Sequence, residues 1–230
     1  MKKIKLKSKM EAPKRYEDWK RYVFDRPVSD EPWYFDLYDD EFVADKNELV
    51  QLITYTFENC GTDLACYSDE QIRHGLIYML DCGFSDVACA LMDNQVSIDL
   101  RLRGISSIKY LYADCFEHRC ESALGHANQS GNSLNYICYM LWDVSPLNFW
   151  EGEKHPDRQI FYDAVVDVLE DVLKLNNPAC VESALHGLGH MLRYHKARIS
   201  ETLSTYLRRN DFVSPSLKLY AQRASTGNIQ

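Results

Sequence analysis

The chain has 230 residues and a formal net charge of −8, with 26 Lys and Arg against 34 Asp and Glu. Hydrophobic residues make up 46% and charged residues 26%, with only 10 Gly and 7 Pro, which excludes collagen-like and intrinsically disordered chains. No apolar run approaches the roughly 18–20 residues that a membrane-spanning helix requires. A chain this long buries enough surface to fold as one domain, or two small ones, without disulfides or structural metals.

The eight cysteines indicate the cellular compartment in which the protein is expected. Seven of them fall in segments predicted as helix, where a thiol usually acts as a small buried hydrophobic group and is kept reduced inside the cell. The lysines after Met1 are not followed by the apolar core or cleavage site of a secretory signal. The sequence therefore predicts a cytoplasmic protein. The cysteines are Cys60, Cys66, Cys82, Cys89, Cys115, Cys120, Cys138 and Cys180.

Charge is unevenly distributed along the chain. Residues 1–22 have a balance of +6, and the remaining 208 residues have a balance of −14. A body this negative repels nucleic-acid phosphates and attracts basic proteins or cations. The basic terminus suits contact with an anionic surface, although a solvated, poorly ordered terminus is the simpler interpretation. The charge predicts a basic protein as partner and disfavours nucleic-acid binding by the body.

Residues 25–45 form a distinct acidic and aromatic segment. Pro27, Pro32 and the lack of a helical period disfavour a helix there. One interpretation is a non-helical N-terminal arm that lies across the body, with its rings buried and its carboxylates in water. The other is a surface that captures a cationic partner. The residues that would face such a partner are Trp33, Tyr34, Asp36, Asp39, Asp40 and Glu41.

From residue 45 onward the patterns predict successive helices. Asp45 with Glu48, and Ser68 with Gln71, match capping boxes and predict two helix starts. Four more helices are predicted before the next polar loop, at 85–93, 98–117, 118–128 and 133–143.

The second half carries the clearest periodicity. Over residues 157–174, apolar side chains recur at one-turn intervals. Asn177 predicts an N-cap, with Pro178 at the first helical position, where its missing donor does no harm. That helix should run to about Tyr194. Further helices are predicted over 197–209 and from Ser214-Pro215 onward.

The fold class predicted from these patterns is all-α, since no segment predicts a strand. Glu121 to Leu124 has the sequence Glu-Ser-Ala-Leu, which recurs from Glu182 to Leu185. Small residues beside Leu let one helical hairpin pack closely on the next. We predict an irregular α-solenoid of antiparallel hairpins, with HEAT or armadillo character. Residues 1–45 would form the basic tail and arm, and residues 46–230 a single helical-repeat domain.

The most distinctive run extends from Glu182 to His190. At 100° per residue, Glu182, His186 and His190 share one face of a helix, and Arg193 continues the same stripe. Two glycines interrupt this helix, and each costs about 1 kcal/mol relative to Ala. Either close approach of another helix or space for a bound group must offset that cost.

Two interpretations of this histidine face remain open. In one, Glu182, His186 and His190 bind zinc, since two histidines four residues apart can share an ion. The metalloprotease pattern, however, requires Glu directly after the first His, and Gly187 holds that place. In the other, Glu182 fixes the tautomer of His186 and the face lines a groove. The candidate groove residues are Glu182, His186, His190, Arg193 and Trp142, and Asp143 is expected only to end a helix.

Three strings together resemble a group of uncharacterised bacterial proteins that share an ESALHGLGH-type motif. They are the segment from Glu182 to His190, the segment from Cys138 to Asp143, and the segment from Tyr67 to Gln71. The resemblance spans roughly residues 48–225 and implies no activity, so it carries over no functional residue. In architecture the chain also resembles HEAT-type repeats, which implies a curved surface that holds proteins or peptides.

The leading functional hypothesis is a non-enzymatic protein-binding module without a cofactor. Its anionic body and its acidic, aromatic arm suit an inhibitor or immunity protein that neutralises a basic toxin or effector. The alternative is a metal-binding protein or a metal-dependent hydrolase built on Glu182, His186 and His190, with zinc as the ion. A catalytic residue is not predicted under the leading hypothesis.

Overall fold

A computed structural model describes residues 10–29, 31–36, 41–148, 157–208 and 214–229. Within these ranges the chain is all-helical and forms no strand, which confirms the predicted fold class. None of the helices in these ranges combines the length and apolar character needed to cross a membrane. The α-helices are α1 (Tyr16–Phe24), α2 (Lys46–Asp63), α3 (Asp69–Leu80), α4 (Ile98–Tyr110), α5 (Glu117–Arg119), α6 (Ser133–Val144), α7 (Arg158–Val172), α8 (Pro178–Met191), α9 (Lys196–Arg208) and α10 (Pro215–Ala224).

Local capping signals account for several helix starts. The carboxylate of Asp45 accepts a hydrogen bond from the amide of Glu48 at the start of α2. Ser68 and Gln71 form the reciprocal capping box that begins α3. The side chain of Asn177 caps α8, whose first residue is proline. Each cap satisfies a backbone N–H that would otherwise lack a partner, so these starts follow from local chemistry.

The helices pack in two rows. Helices α2, α4 and α7 lie side by side in one row, and α1, α3, α6, α8 and α10 lie side by side in the other. Contacts of α8 with α7, and of α1 with α2, join the rows, whereas α9 packs on α8 and α10. One continuous core of buried apolar side chains runs through the helices. This two-row packing is consistent with the predicted α-solenoid.

Two predicted helices differ in form from the prediction. The helix predicted over 98–117 is present as α4, but it continues into a π-helical segment, Leu111–Phe116. The short helix predicted over 85–93 is a 3-10 helix, Ala88–Met92.

The helix predicted over residues 118–128 is wrong beyond its first turn. Helix α5 ends at Arg119, and the chain then runs without α-helix to a single 3-10 turn, Gly125–Ala127. Asn128 ends that turn with φ of 53°, in the left-handed region that asparagine tolerates. The Glu-Ser-Ala-Leu string is thus an irregular segment at its first occurrence and part of α8 at its second.

The N-terminal region contains a packed helix where a solvated terminus was expected. On α1, Tyr16, Trp19 and Val23 are buried one turn apart. The indole N–H of Trp19 donates to Thr56 on α2 over 3.2 Å. Burial of these side chains fixes α1 against the body, so the interpretation as a poorly ordered terminus is wrong for this stretch.

Candidate functional site

The site lies where α8 meets α6 and α10. Helix α8 is buried over most of its surface, and its buried side chains include the polar residues Glu182, Ser183 and His186. Polar groups are buried at low cost only when they are hydrogen-bonded. The hydrogen-bond partners of these side chains therefore show which parts of the chain α8 holds together.

Glu182 holds the irregular segment that follows α5. Its carboxylate accepts the amide N–H of Gly125 over 2.8 Å and the amide N–H of His126 over 2.9 Å. The imidazole of His126 bonds the same carboxylate through Nδ1. With only 1% of Glu182 exposed, this carboxylate anchors the segment across 56 residues of sequence.

The two histidines of α8 converge on a carboxylate from α6. His186 Nε2 lies 2.6 Å from Asp143 Oδ2, and His190 Nε2 lies 2.8 Å from Asp143 Oδ1. The two Nε2 atoms are 3.1 Å apart. Among the described residues, Asp143, His186 and His190 are the group whose ligand atoms could hold a metal ion, all lying within 4.8 Å of one another. Asp143, and not Glu182, is therefore the carboxylate that contacts His186 and the third member of the possible ligand set.

The network around Asp143 alters its acidity. Partial burial raises the pKa of a carboxyl group, but the interactions of Asp143 with His186 and His190 outweigh that effect here. The pKa of Asp143 consequently lies well below its ordinary range, and its carboxylate is ionised at neutral pH. At neutral pH the cluster therefore places an ionised carboxylate beside two imidazoles.

Behind the histidines lies a layer of tyrosine. The Tyr220 hydroxyl is 2.5 Å from His186 Nδ1, 3.0 Å from the Tyr139 hydroxyl and 3.2 Å from the carbonyl oxygen of Ile229. The ring of His126 stacks on the Tyr220 ring, with centroids 4.2 Å apart. Burial raises the pKa of Tyr220 far above its ordinary value, so the phenol stays protonated.

The two glycines of α8 serve close packing. A Cβ on Gly187 would lie 2.6 Å from Leu169 Cδ2 and 2.9 Å from Trp142 Cγ. A Cβ on Gly189 would lie 2.3 Å from Ile229 Cγ2. Real Cβ atoms do not approach neighbours this closely, so both glycines let other elements lie directly on α8.

Two predicted groove residues, Trp142 and Arg193, are not members of the histidine cluster. Trp142 is fully buried and its ring is parallel to that of Tyr112, with centroids 6.3 Å apart. It therefore packs inside the core and cannot act as an exposed interface anchor. Arg193 is exposed, and its guanidinium lies 4.7 Å from the ring centroid of Tyr194.

Trp33 of the predicted arm is also part of the core. It lies in the 3-10 turn Trp33–Phe35 and is buried. Its ring is 5.2 Å from that of Tyr22 and 4.8 Å from that of Tyr78, and the guanidinium of Arg26 lies 4.7 Å from its centroid. This ring is buried against the body, as the structural interpretation of the arm predicts.

The other arm residues are more accessible. Tyr34 is half-buried, whereas Asp36 and Glu41 are exposed. Asp39 and Asp40 lie outside the described residues.

An exposed cluster of rings, in which Phe35 and Phe84 join Tyr34 of the arm, was not predicted from the sequence. We call Tyr34, Phe35 and Phe84 the aromatic surface. The Phe84 ring lies 5.2 Å from that of Tyr34 and 5.4 Å from that of Phe35. Phe35 is 46% exposed and Phe84 is 42% exposed. Phe84 is in a turn after α3, where no periodic pattern marks it, so only the fold brings it to the arm.

Comparison with known proteins gives no match. No family model, curated protein or solved structure matches the chain. The resemblance to a group of uncharacterised bacterial proteins stays a prediction.

Proposed function

We propose that this protein is a helical protein-binding module that docks a basic partner on the aromatic surface. The observation that supports this function is the contact between the exposed rings of Phe35 and Phe84, which Tyr34 extends towards the body. Two large apolar rings exposed side by side to water have an unfavourable hydration free energy. A partner that covers them removes this cost, which favours binding. Aromatic rings are also enriched among the residues that contribute most to binding energy at interfaces.

The charge of the chain supports a basic partner. The net charge is −8, and Asp36 and Asp86, both exposed, lie two residues or fewer from the exposed rings in sequence. Carboxylates at the rim of an apolar patch steer a cationic partner and raise its association rate. Two exposed carboxylates next to the rings in sequence suit a partner whose apolar patch is bordered by Lys and Arg.

The narrowest form of the proposal is inhibition. A basic toxin or effector held on this face would have part of its own surface covered, and substrate entry would be blocked if the covered part includes its active site. The steering depends on ionic strength, whereas the burial of rings does not. The two contributions can therefore be measured separately.

Affinity capture from the source cells with ring variants tests the proposal. The bait is the full chain, as wild type, as Phe35→Ala/Phe84→Ala, and as the control Ile160→Ala/Leu219→Ala. The control removes two side chains of similar exposure, 45% and 50%, that lie on α7 and α10. All four positions are exposed, so each variant should keep its stability within about 0.5 kcal/mol per site.

We expect the wild-type bait and the control bait to capture a basic protein, and the Phe35→Ala/Phe84→Ala bait to capture none. Less of this protein should be recovered at high salt. Equal recovery on all three baits would contradict the aromatic surface as the docking face. Recovery that does not depend on salt would contradict charge steering. Purified partner should then lose its own activity when the wild-type chain is added, and keep it with the ring variant.

A further inference from the structure

We propose that Asp143, His186 and His190 form a binding site for a divalent transition-metal ion, with Zn²⁺ as the first candidate. This site is separate from the aromatic surface, and its function does not depend on the proposed docking. Its ligands come from α6 and α8, two helices that pack directly on each other.

The spacing of the ligand atoms suits a shared ion. Zinc binds imidazole nitrogen at about 2.0–2.1 Å, so two nitrogens on one ion are separated by about 2.9–3.4 Å for coordination angles between octahedral and tetrahedral. The two Nε2 atoms of His186 and His190 are 3.1 Å apart. The Asp143 oxygens are at hydrogen-bond distance, 2.6 Å and 2.8 Å, from these nitrogens. A small shift of the partly exposed Asp143 side chain allows one carboxylate oxygen and the two Nε2 atoms to coordinate one ion.

Hydrogen bonding behind His186 favours the tautomer that a metal requires. The carbonyl oxygen of Ile229 can only accept, and the Tyr220 hydroxyl lies 3.2 Å away, placed to donate to it. The Tyr220 oxygen then accepts from His186 Nδ1–H over 2.5 Å. In this arrangement His186 Nε2 carries a lone pair and faces a carboxylate and a second imidazole nitrogen. A cation accepts this lone pair together with a carboxylate oxygen, and a ligating histidine normally donates its other N–H, as Nδ1 of His186 does here.

Close packing of the two helices holds the ligands in place. Asp143 follows Trp142, and Gly187 follows His186, so the ligands adjoin the point where α8 lies against the Trp142 ring. One turn earlier, the hydroxyl of Ser183 on α8 donates to the carbonyl of Cys138 on α6 over 2.5 Å. Rigid supporting contacts of this kind fix the distance between ligands on different helices.

Access from solvent differs among the three ligands. The side chain of His186 is 7% exposed, whereas those of His190 and Asp143 are 30% and 28% exposed. An ion can thus enter from the side of His190 and Asp143, and it keeps coordination positions open to water. Neutral imidazoles with one carboxylate suit Zn²⁺ and its divalent first-row neighbours, and do not suit Ca²⁺ or Mg²⁺, which prefer oxygen ligands.

Calorimetric titration of the full chain with ZnCl₂ tests the site, using protein without a histidine tag and after dialysis against a chelator. We expect one Zn²⁺ per chain for the wild type. His190→Ala should weaken binding by more than about 100-fold, beyond the 10–100-fold that loss of an outer-shell partner costs. His118→Ala is the matched control, because this exposed histidine on α5 lies outside the cluster, and it should bind as the wild type does.

Glu182→Gln separates the observed ligand set from the one suggested by the sequence. Because Glu182 bonds the segment at 125–126, its variant should still bind one Zn²⁺ at the histidine cluster. Circular dichroism of each variant identifies any that fail to fold, and Asp143→Asn provides a second ligand variant at a partly exposed side chain. Absence of binding by the wild type would overturn the proposal. Equal affinity in wild type, His190→Ala and Asp143→Asn would also overturn it, since the ion would then be adventitious.

Discussion

The ring of Trp142 on α6 fills the space in which a side chain of residue 187 on α8 would stand. A Cβ on Gly187 would lie 2.9 Å from Trp142 Cγ and 2.6 Å from Leu169 Cδ2. The glycine is therefore required by packing, and its cost in helix propensity is offset by the contact of two helices.

Gly187→Ala should destabilise the protein. In an open helix this change is worth about 1 kcal/mol of stabilisation, whereas overpacking a buried contact costs about 1–3 kcal/mol. Because the clash is with an indole ring and a leucine that are both fully buried, we expect a net loss of up to about 2 kcal/mol in the free energy of unfolding. Urea denaturation followed by circular dichroism measures it.

Gly83→Ala is the control for this prediction. Gly83 is exposed in the turn after α3, and its nearest neighbour would be a movable carboxylate oxygen of Asp81 at 3.0 Å. Its effect should stay within about 0.5 kcal/mol. A Gly187→Ala protein as stable as the wild type would show that the α6–α8 contact is looser than these distances indicate.

Local patterns predicted the elements whose causes are local. The apolar stripe of α7 and the Asn177-Pro178 start of α8 each depend on neighbours within a few residues, and both are present. The histidine face of α8 was found for the same reason. Its carboxylate partner was assigned to Glu182 because that residue is one turn away in sequence.

Long-range contacts account for what the sequence did not predict. Asp143 meets the histidines across 43 and 47 residues, which no local period records. Glu182 takes the N–H groups of Gly125 and His126 across 57 and 56 residues, and so competes with helix formation there. These two hydrogen bonds explain why residues 125–126 are not α-helical and why the Glu182 carboxylate is not the partner of the histidines.

Glu182→Gln should lower the free energy of unfolding by about 1.5–3 kcal/mol, the typical worth of hydrogen bonds to a charged group. A glutamine offers one acceptor oxygen, and its NH₂ group would face N–H donors of residues 125–126. The control is Glu201→Gln, an exposed glutamate on α9, with an expected effect below about 0.5 kcal/mol. Equal effects for the two variants in urea denaturation would show that the segment is not anchored by this carboxylate.

The ion pair of Glu170 and Arg198 should contribute to the pH dependence of stability. Burial raises the pKa of Glu170, but hydrogen bonds from Arg198 and Thr202 outweigh it, so the folded pKa is lowered. A lowered folded pKa means that the stabilisation is present above the unfolded pKa and is lost as pH falls through the folded value.

Glu170→Gln should therefore cost about 0.5–1 kcal/mol at pH 7, as expected for a partly exposed pair, and progressively less as the pH is lowered. Thermal or urea unfolding at a series of pH values measures the difference from wild type. The exposed Glu121→Gln is the control and should show little difference at any pH. A difference for Glu170→Gln that grows on acidification would contradict a lowered pKa of Glu170 in the folded protein.

Cys82 and Cys89 should form an intrachain disulfide under a thiol oxidant such as diamide. Their sulfur atoms are 3.5 Å apart, and a disulfide bond is about 2.05 Å long. Partial desolvation and the neighbouring Cys89 raise the pKa of Cys82 to about 12, so the reaction should be slow at neutral pH and faster in alkali.

Mass spectrometry of the wild-type chain should show a mass lower by two hydrogen atoms. After cleavage between Cys82 and Cys89, the two peptides should remain joined by the disulfide bond. The loss should disappear in Cys82→Ser and persist in Cys66→Ser, which removes another exposed thiol. A disulfide that instead includes Cys66 would contradict the pairing.

Tyr220→Phe should weaken zinc binding without removing a ligand. The Tyr220 hydroxyl holds His186 Nδ1 over 2.5 Å, and outer-shell partners of this kind contribute about 10–100-fold to metal affinity. Tyr139→Phe is the matched control, because its hydroxyl contacts the Tyr220 hydroxyl at 3.0 Å and lies one step further from the histidine. We expect calorimetric affinity for Zn²⁺ to fall by about 10–100-fold in the first variant and by less than about 3-fold in the second, with one ion per chain in both. Equal affinities in the two variants would mean that the tyrosine layer packs behind the histidines without orienting them.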